Sequence, residues 1–178
     1  RITASGENSG GLIQLGGSWQ NSNPSIRQAI KATVASGARV DASATQRGDG
    51  GTIVVWSDIR NPESFTNAFG TFSANAGLLS GDGGRIETSG YGLNVNGIRI
   101  STAAENGRTG LWLLDPADIE IRAINNNDVP ATEDPRNTFG ATTGLAIVDV
   151  AALQAALDVS NVLITTAGGN GGFGDITF

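Results

Sequence analysis

Two segments of this chain are built on one frame, and that frame constrains the fold more than any other feature. Val40-Asp41-Ala42-Ser43-Ala44 leads through a polar stretch to Gly48-Asp49-Gly50-Gly51-Thr52-Ile53. Phe72-Ser73-Ala74-Asn75-Ala76 leads in the same way to Gly81-Asp82-Gly83-Gly84-Arg85-Ile86. Looser copies flank them. Ile2-Thr3-Ala4-Ser5 runs to Gly10-Gly11-Leu12-Ile13, Ile100-Ser101-Thr102-Ala103 to Thr109-Gly110-Leu111-Trp112, and Val162-Leu163-Ile164-Thr165-Thr166 to Gly174-Asp175-Ile176. A strand, a Gly-rich turn and a second strand, repeated, is the pattern of stacked β-coils. Neighbouring coils share their core, so 178 residues suffice for one well-filled domain. The expected fold class is all-β, a parallel β-helix or solenoid, with residues 1–178 as a single segment.

Composition fits a stack. The 26 glycines fall between apolar runs, where turns belong, and have no collagen period. Charged residues are only 16% of the chain, so Ser, Thr, Asn, Gln and Gly must cover the surface. Asn and Thr suit that task, because equivalent side chains form ladders along a parallel stack. The net charge is −6 and Lys31 is the one lysine, which argues against a nucleic-acid partner and against an anionic membrane surface. No apolar run approaches the roughly 20 residues of a spanning helix, so no membrane insertion is expected. No secretion signal opens the chain. The absence of cysteine fits a secreted chain and a cytosolic one equally. Both termini lie in strand-like text, which reads as a piece of a longer chain.

The β pattern is strongest from Val34 to Leu114, in short runs with period-2 alternation. Gly37, Gly70 and Gly97 each precede a strand and are read as corners that need a positive φ or a close backbone approach. Ala42, Ala44, Ala74, Ala76, Ala103 and Ala104 are expected to point inward. Three stretches interrupt. In the polar insertion Asn21–Ala32, the run Pro24–Ile30 fits a short helix or an extended loop. Ile59–Asn67, with Asn61-Pro62-Glu63, reads as a turn or loop. Residues 123–143, with Asn125-Asn126-Asn127-Asp128 and two prolines, read as a loop outside the coil. Residues 149–158 read as one short helix, with Asp149 as N-cap and Val150, Leu153 and Leu157 on one face.

Without His or Cys, a Ser-His-Asp or Cys-His arrangement is impossible, as is a zinc site built on those residues. Asp49 and Asp82 hold equivalent places in the two Gly-Asp-Gly-Gly turns. Stacked, they would be neighbours, as an acid/base pair or a calcium site requires. The preferred reading is that each carboxylate bonds the backbone of its own turn. No catalytic residue, cofactor or metal is therefore expected, with Asp49 and Asp82 the residues to watch for calcium. Asp115-Pro116 and Asp118 read as strand-ending residues. Trp56 and Trp112 sit in apolar strands and read as core. Trp19, between Ser18 and Gln20 beside the polar insertion, is the candidate exposed binding aromatic, with a packed position equally open.

Three boxes carry a resemblance. Gly50-Gly51-Thr52-Ile53-Val54-Val55-Trp56-Ser57-Asp58 resembles a G-G-x-V-x-V-W-S/A-D box. Gly81-Asp82-Gly83-Gly84-Arg85-Ile86-Glu87-Thr88-Ser89-Gly90 resembles G-D-G-G-x-V-E-T-S-G. Gly110-Leu111-Trp112-Leu113-Leu114-Asp115-Pro116-Ala117-Asp118-Ile119 resembles G-x-W-L-L-D-P-x-D-I. In that order they are similar to the large bacterial exoproteins of the filamentous haemagglutinin type, secreted by the two-partner route. Leu12–Gly17 with Trp19-Gln20 is similar to that family's G-G-D-Y-Q-G region, and the helix and strand after Asp149 to its following helix-strand pair. The resemblance implies a right-handed parallel β-helix and an extracellular or outer-surface location. It also implies a role in adhesion, biofilm or extracellular filaments, with host-surface or matrix glycans and proteins as partners. The family's secretion domain is not matched, so the segment resembles later passenger text.

Three functions are then to be separated. A structural and adhesive segment, not an enzyme, asks only for what is present. A β-helical carbohydrate-active enzyme would use Asp49 and Asp82, or Glu87, on one face. A polysaccharide-binding module would need a regular Thr/Asn ladder. Self-association through the end coils is also expected, because neither end shows a capping helix, a charge run or a proline.

Overall fold

The computed structural model describes residues 1–123, 145–166 and 174–178. It is mostly β, with three parallel sheets and one α-helix among those residues. The strands come in triplets. The first is β1 (Ile2–Thr3), β2 (Leu12–Leu15) and β3 (Lys31–Val34). The second is β4 (Arg39–Asp41), β5 (Thr52–Trp56) and β6 (Phe65–Ala68). The third is β7 (Thr71–Ser73), β8 (Arg85–Gly90) and β9 (Gly92–Asn94). The fourth is β10 (Arg99–Ser101), β11 (Leu111–Pro116) and β12 (Asp118–Arg122). Then follow β13 (Leu145–Asp149), α1 (Val150–Leu157), β14 (Asn161–Ile164) and β15 (Ile176–Thr177). The expected 123–143 loop lies, after Ala123, outside the described residues.

Strands of equal rank stack on one another. Sheet I runs β1-β4-β7-β10, and sheet II runs β2-β5-β8-β11-β14. Their registers align the apolar positions of the copies. Ile13, Ile53, Ile86, Trp112 and Val162 form one row across sheet II. Ile2, Val40, Phe72 and Ile100 form one across sheet I. A single apolar cluster draws on all three sheets: Phe72 from sheet I, Ile53 and Trp112 from sheet II, and Leu93 and Ile119 from the third. Strand alternation sends every second residue away from it. In β5, Ile53 and Val55 join the main core, while Val54 and Trp56 form a second small cluster with Ile59.

Sheet III departs from sequence order. It runs β15-β12-β13-β9-β6-β3, so β13 lies between β12 and β9 although it follows β12 in the chain. Five residues of β13 pair with β12, from Asp118↔Leu145 to Arg122↔Asp149, and Ile147 pairs with Asn94 of β9. After β13 the chain enters α1, which packs against β10, the last strand of sheet I. The sequence reading had expected no capping helix; this one covers the end of one sheet. Asp149 caps α1 as expected, its Oδ1 accepting from the Ala151 N–H at 3.3 Å. The packed face differs from the expected one. Ala156 is buried and Leu153 meets the core, whereas Leu157 is exposed.

Pro24–Ile30 contains a turn and loop, not a helix; the short helical turn is a 3-10 one at Trp19–Asn21. Ala42, Ala44, Ala74 and Ala76 are buried, but Ala103 and Ala104 are only half-buried. Thr102 takes the place equivalent to Ala42 and Ala74, fully buried, with its hydroxyl 2.9 Å from that of Ser160. Of the three corner glycines, Gly97 has φ +71°, and a Cβ on Gly70 would lie 2.7 Å from the Ala38 carbonyl oxygen. Gly37 has neither constraint: its φ is not positive and nothing lies within 4 Å of its Cβ position. Gly97→Val should therefore cost about 1 kcal/mol or more through backbone strain. Gly37→Ala should be neutral or gain about 0.5 kcal/mol from a less flexible unfolded chain. Thermal melts of the two variants check the contrast; equal effects would contradict it.

Candidate functional site

The Gly-Asp-Gly-Gly turns stack as one column. Gly50 N–H donates to the Asp82 carbonyl at 2.9 Å, and Gly83 N–H to the Arg108 carbonyl at 2.8 Å. The carboxylates run alongside. Asp49 Oδ1 accepts from the Asp82 N–H and Asp82 Oδ1 from the Arg108 N–H, each at 2.8 Å. Each Asp thus bonds the backbone of the next turn, not of its own, which corrects the expectation from sequence. Asp82 Oδ2 also receives Arg108 Nε at 3.0 Å and Nη2 at 2.7 Å. The Arg108 N–H and guanidinium hold the Asp82 carboxyl below its usual range. A guanidinium seated on one carboxylate leaves the pair unlike a calcium cage, which gathers oxygens only. No cluster of three or more metal-ligating side chains occurs among the described residues. The double variant Asp49→Asn/Asp82→Asn is expected to fold, because an asparagine Oδ1 still accepts the next N–H. Its melting temperature should fall by a few degrees with loss of the Arg108 ion pair. Loss of the β-dominated circular dichroism spectrum would contradict this.

The other site lies on the outer face of sheet II, where the insertion after β2 folds back. Glu87 and Ser89 of β8 point there, beside Val54 and Trp56 of β5 and Leu113 and Asp115 of β11. Trp19 is half-buried and packs on the Val54, Trp56 and Ile59 cluster. The Arg85 guanidinium lies 4.4 Å from its ring centroid, a contact worth about 0.5–1 kcal/mol at an exposed site. The candidate exposed aromatic is therefore a packed one, with one face under a cation. Trp56 is fully buried here, its Nε1 donating to Gln28 Oε1 at 3.0 Å, whereas Trp112 lies in the main core with Nε1 on Thr88 Oγ1.

Glu87 holds the insertion down. Its Oε2 accepts from the Gln20 N–H at 2.8 Å and its Oε1 from the Ser89 hydroxyl at 3.0 Å. Gln20 and Asn21 have φ of +45° and +51°, a left-handed backbone that costs non-glycine residues free energy. The carboxyl group therefore fastens a strained turn. Burial pushes Glu87 up to about 7, and the negative Asp115 nearby adds to the rise. The Gln20 and Ser89 hydrogen bonds and the Arg85 charge oppose it less strongly. Glu87 is closed to solvent.

Beside this anchor is a cleft of about 440 Å³. Trp56, Ile59 and Asp115 are its buried residues, Gln20, Asn21 and Arg60 its exposed ones, with Gln28 and Thr165 between. Sequence reasoning missed this assembly. The one available signal was a Glu at a position where the neighbouring copies carry Val54 and Leu113. Asp118, read as structural, accepts from the Gly174 and Asp175 N–H groups at 2.8 and 3.1 Å and so ties β15 to β12.

No protein-family model matches the chain, and no curated protein matches it. Among the described residues, no helix is long and apolar enough to cross a membrane.

Proposed function

We propose that the chain is a right-handed parallel β-helix that acts as a structural and adhesive segment of an exported bacterial exoprotein of the filamentous haemagglutinin type. The column of Gly-Asp-Gly-Gly turns is the observation that carries this reading. Its two carboxylates are spent on the backbone of the next turn, as a scaffold uses them, and Glu87 is sealed under the insertion. Right-handedness follows from the twist of strands, since parallel strands joined by crossovers wind that way in about 98% of cases. The segment carries no catalytic centre and works at the cell surface or in the medium. Self-association through its coils is part of this reading, since unpaired strand edges template further strands.

The competing reading is a carbohydrate-active enzyme, and the cleft beside Asp115 is what favours it. One experiment separates the two. Beads coated with the chain are tested for retention on host cells and on matrix polysaccharide, while the same polysaccharides are assayed for new reducing ends. Retention without turnover is the expected result. Turnover abolished by Asp115→Asn would replace the adhesive reading with the enzymatic one, and absence of retention on every surface would remove it.

A further inference from the structure

We infer that the cleft on the outer face of sheet II binds one neutral, hexose-sized sugar unit. The inference needs only the geometry of the cleft and stands apart from the reading of export and adhesion.

Three properties select the ligand. The first is size. About 440 Å³ lies in the lower part of the range of small-molecule sites, enough for one sugar ring with a substituent. The second is the donor set. Gln20, Asn21 and Gln28 bring side-chain amides, each able to offer both a donor and an acceptor. The Gln28 Oε1 is already taken by the Trp56 indole, which fixes the amide and leaves its N–H groups to donate. Thr165 adds a hydroxyl and Asp115 a buried carboxyl group in the floor. Alternating donors and acceptors suit vicinal hydroxyls, which each need one of both. The third is charge. Its described lining holds one cation, Arg60 at the rim, and one carboxyl group, Asp115 in the floor, and so no cluster of one sign of the kind that draws an anion or a cation. Ile59 adds a small apolar surface to the wall, with the fully buried Trp56 packed behind it.

The cleft is also held in shape before any ligand arrives. Gln20 and Asn21 line it in left-handed conformations that an unconstrained loop would relax. They are kept there by the Gln20 N–H bond to Glu87 and by a Trp19 ring packed beneath Arg85. A rim fixed by a buried anchor binds without the entropy of ordering a loop.

The test is a titration of the ¹⁵N-labelled 178-residue chain with methyl glucoside, methyl galactoside and methyl N-acetylglucosaminide, and with methyl glucuronide as the anionic counterpart. The reporter is the Trp56 indole N–H signal. At least one neutral glycoside should shift it saturably, with a dissociation constant near the millimolar range typical of single sugar rings. Arg60→Ala and Asn21→Gly should each weaken that binding about fivefold, the equivalent of one net hydrogen bond. Both side chains are exposed, and glycine accepts a φ of +51° freely, so neither variant should unfold. The inference is overturned by any of three results: no shift with any neutral glycoside at tens of millimolar, a shift that neither variant weakens, or a preference for the glucuronide.

Discussion

Gly83→Ala is expected to abolish the fold or to destabilise it by about 4 kcal/mol or more, the range reserved for severe steric conflict. A Cβ on Gly83 would lie 1.9 Å from the Thr102 carbonyl oxygen and 2.4 Å from the Gly110 nitrogen. Both are backbone atoms held in the next turn by their own hydrogen bond, Gly110 N–H to the Thr102 carbonyl at 2.8 Å. No rotamer change can relieve the clash. The same geometry recurs one level down, where a Cβ on Gly50 would lie 2.0 Å from the Ala74 carbonyl oxygen. The glycines of the frame are thus kept by contact between turns, and this is why the frame repeats. Chemical denaturation against the Gly37→Ala control measures the effect. A Gly83→Ala protein melting within a degree or two of its parent would show that the turns do not touch.

The second large effect is a loss of stability as pH rises through neutrality. Glu87 titrates near 7 in the folded chain, against 4.5 for an ordinary glutamate. The folded state therefore holds a proton that the unfolded state has released. The stabilisation is complete below about pH 4.5 and is lost as pH rises through 7. The gap corresponds to roughly 3 kcal/mol between those limits, or roughly 6–12 °C in melting temperature for a chain of this size. The chain has no histidine, so no imidazole titrates in the same window. Glu87→Gln keeps the shape, and its amide can still accept from the Gln20 N–H while meeting Ser89 as a donor. That variant should melt at nearly constant temperature from pH 5 to pH 8. A wild-type protein equally flat over this range would mean that Glu87 is solvated, and that the insertion is not seated on sheet II.

The parts of the fold legible in sequence are those whose pattern depends on near neighbours. Ile53, Ile86 and Trp112 each stand two residues after the last glycine of their turn, and they share one row of sheet II. Asp149 before an apolar period marked α1. What lay beyond reach involves choices between equivalent partners. β12 and β13 are both five-residue strands with apolar residues at their second and fourth positions, and either fits beside β9; nothing local in Ile119–Ile121 or Ala146–Val148 states which takes the place. The same limit hid the cleft. Glu87 was visible as one carboxylate among the frame residues, but its burial depends on an insertion more than sixty positions earlier folding over it. Trp19 was open between exposed and packed for that reason, since its neighbours in sequence are polar and its neighbours in space are Val54, Trp56 and Ile59. The carboxylates of the turns were placed correctly in the stack but given the wrong partner. Within one turn an Asp can reach its own backbone, and only a second turn at stacking distance offers the better donor.

The account rests on parallel stacking of the frame, and the absence of cysteine allows a direct measurement of it. Arg85 pairs with Leu111 on the outer face of sheet II, and Thr52 pairs with Arg85 from the other side. Adjacent strands are about 4.8 Å apart, within reach of a disulfide, while strands two apart are about 9.6 Å away and beyond it. Arg85→Cys with Leu111→Cys should close to a disulfide under mild oxidation, as should Thr52→Cys with Arg85→Cys. Thr52→Cys with Leu111→Cys should stay reduced. Mass spectrometry of the oxidised proteins reads the result. Closure of the third pair in monomers, or failure of the first two, would contradict the stack.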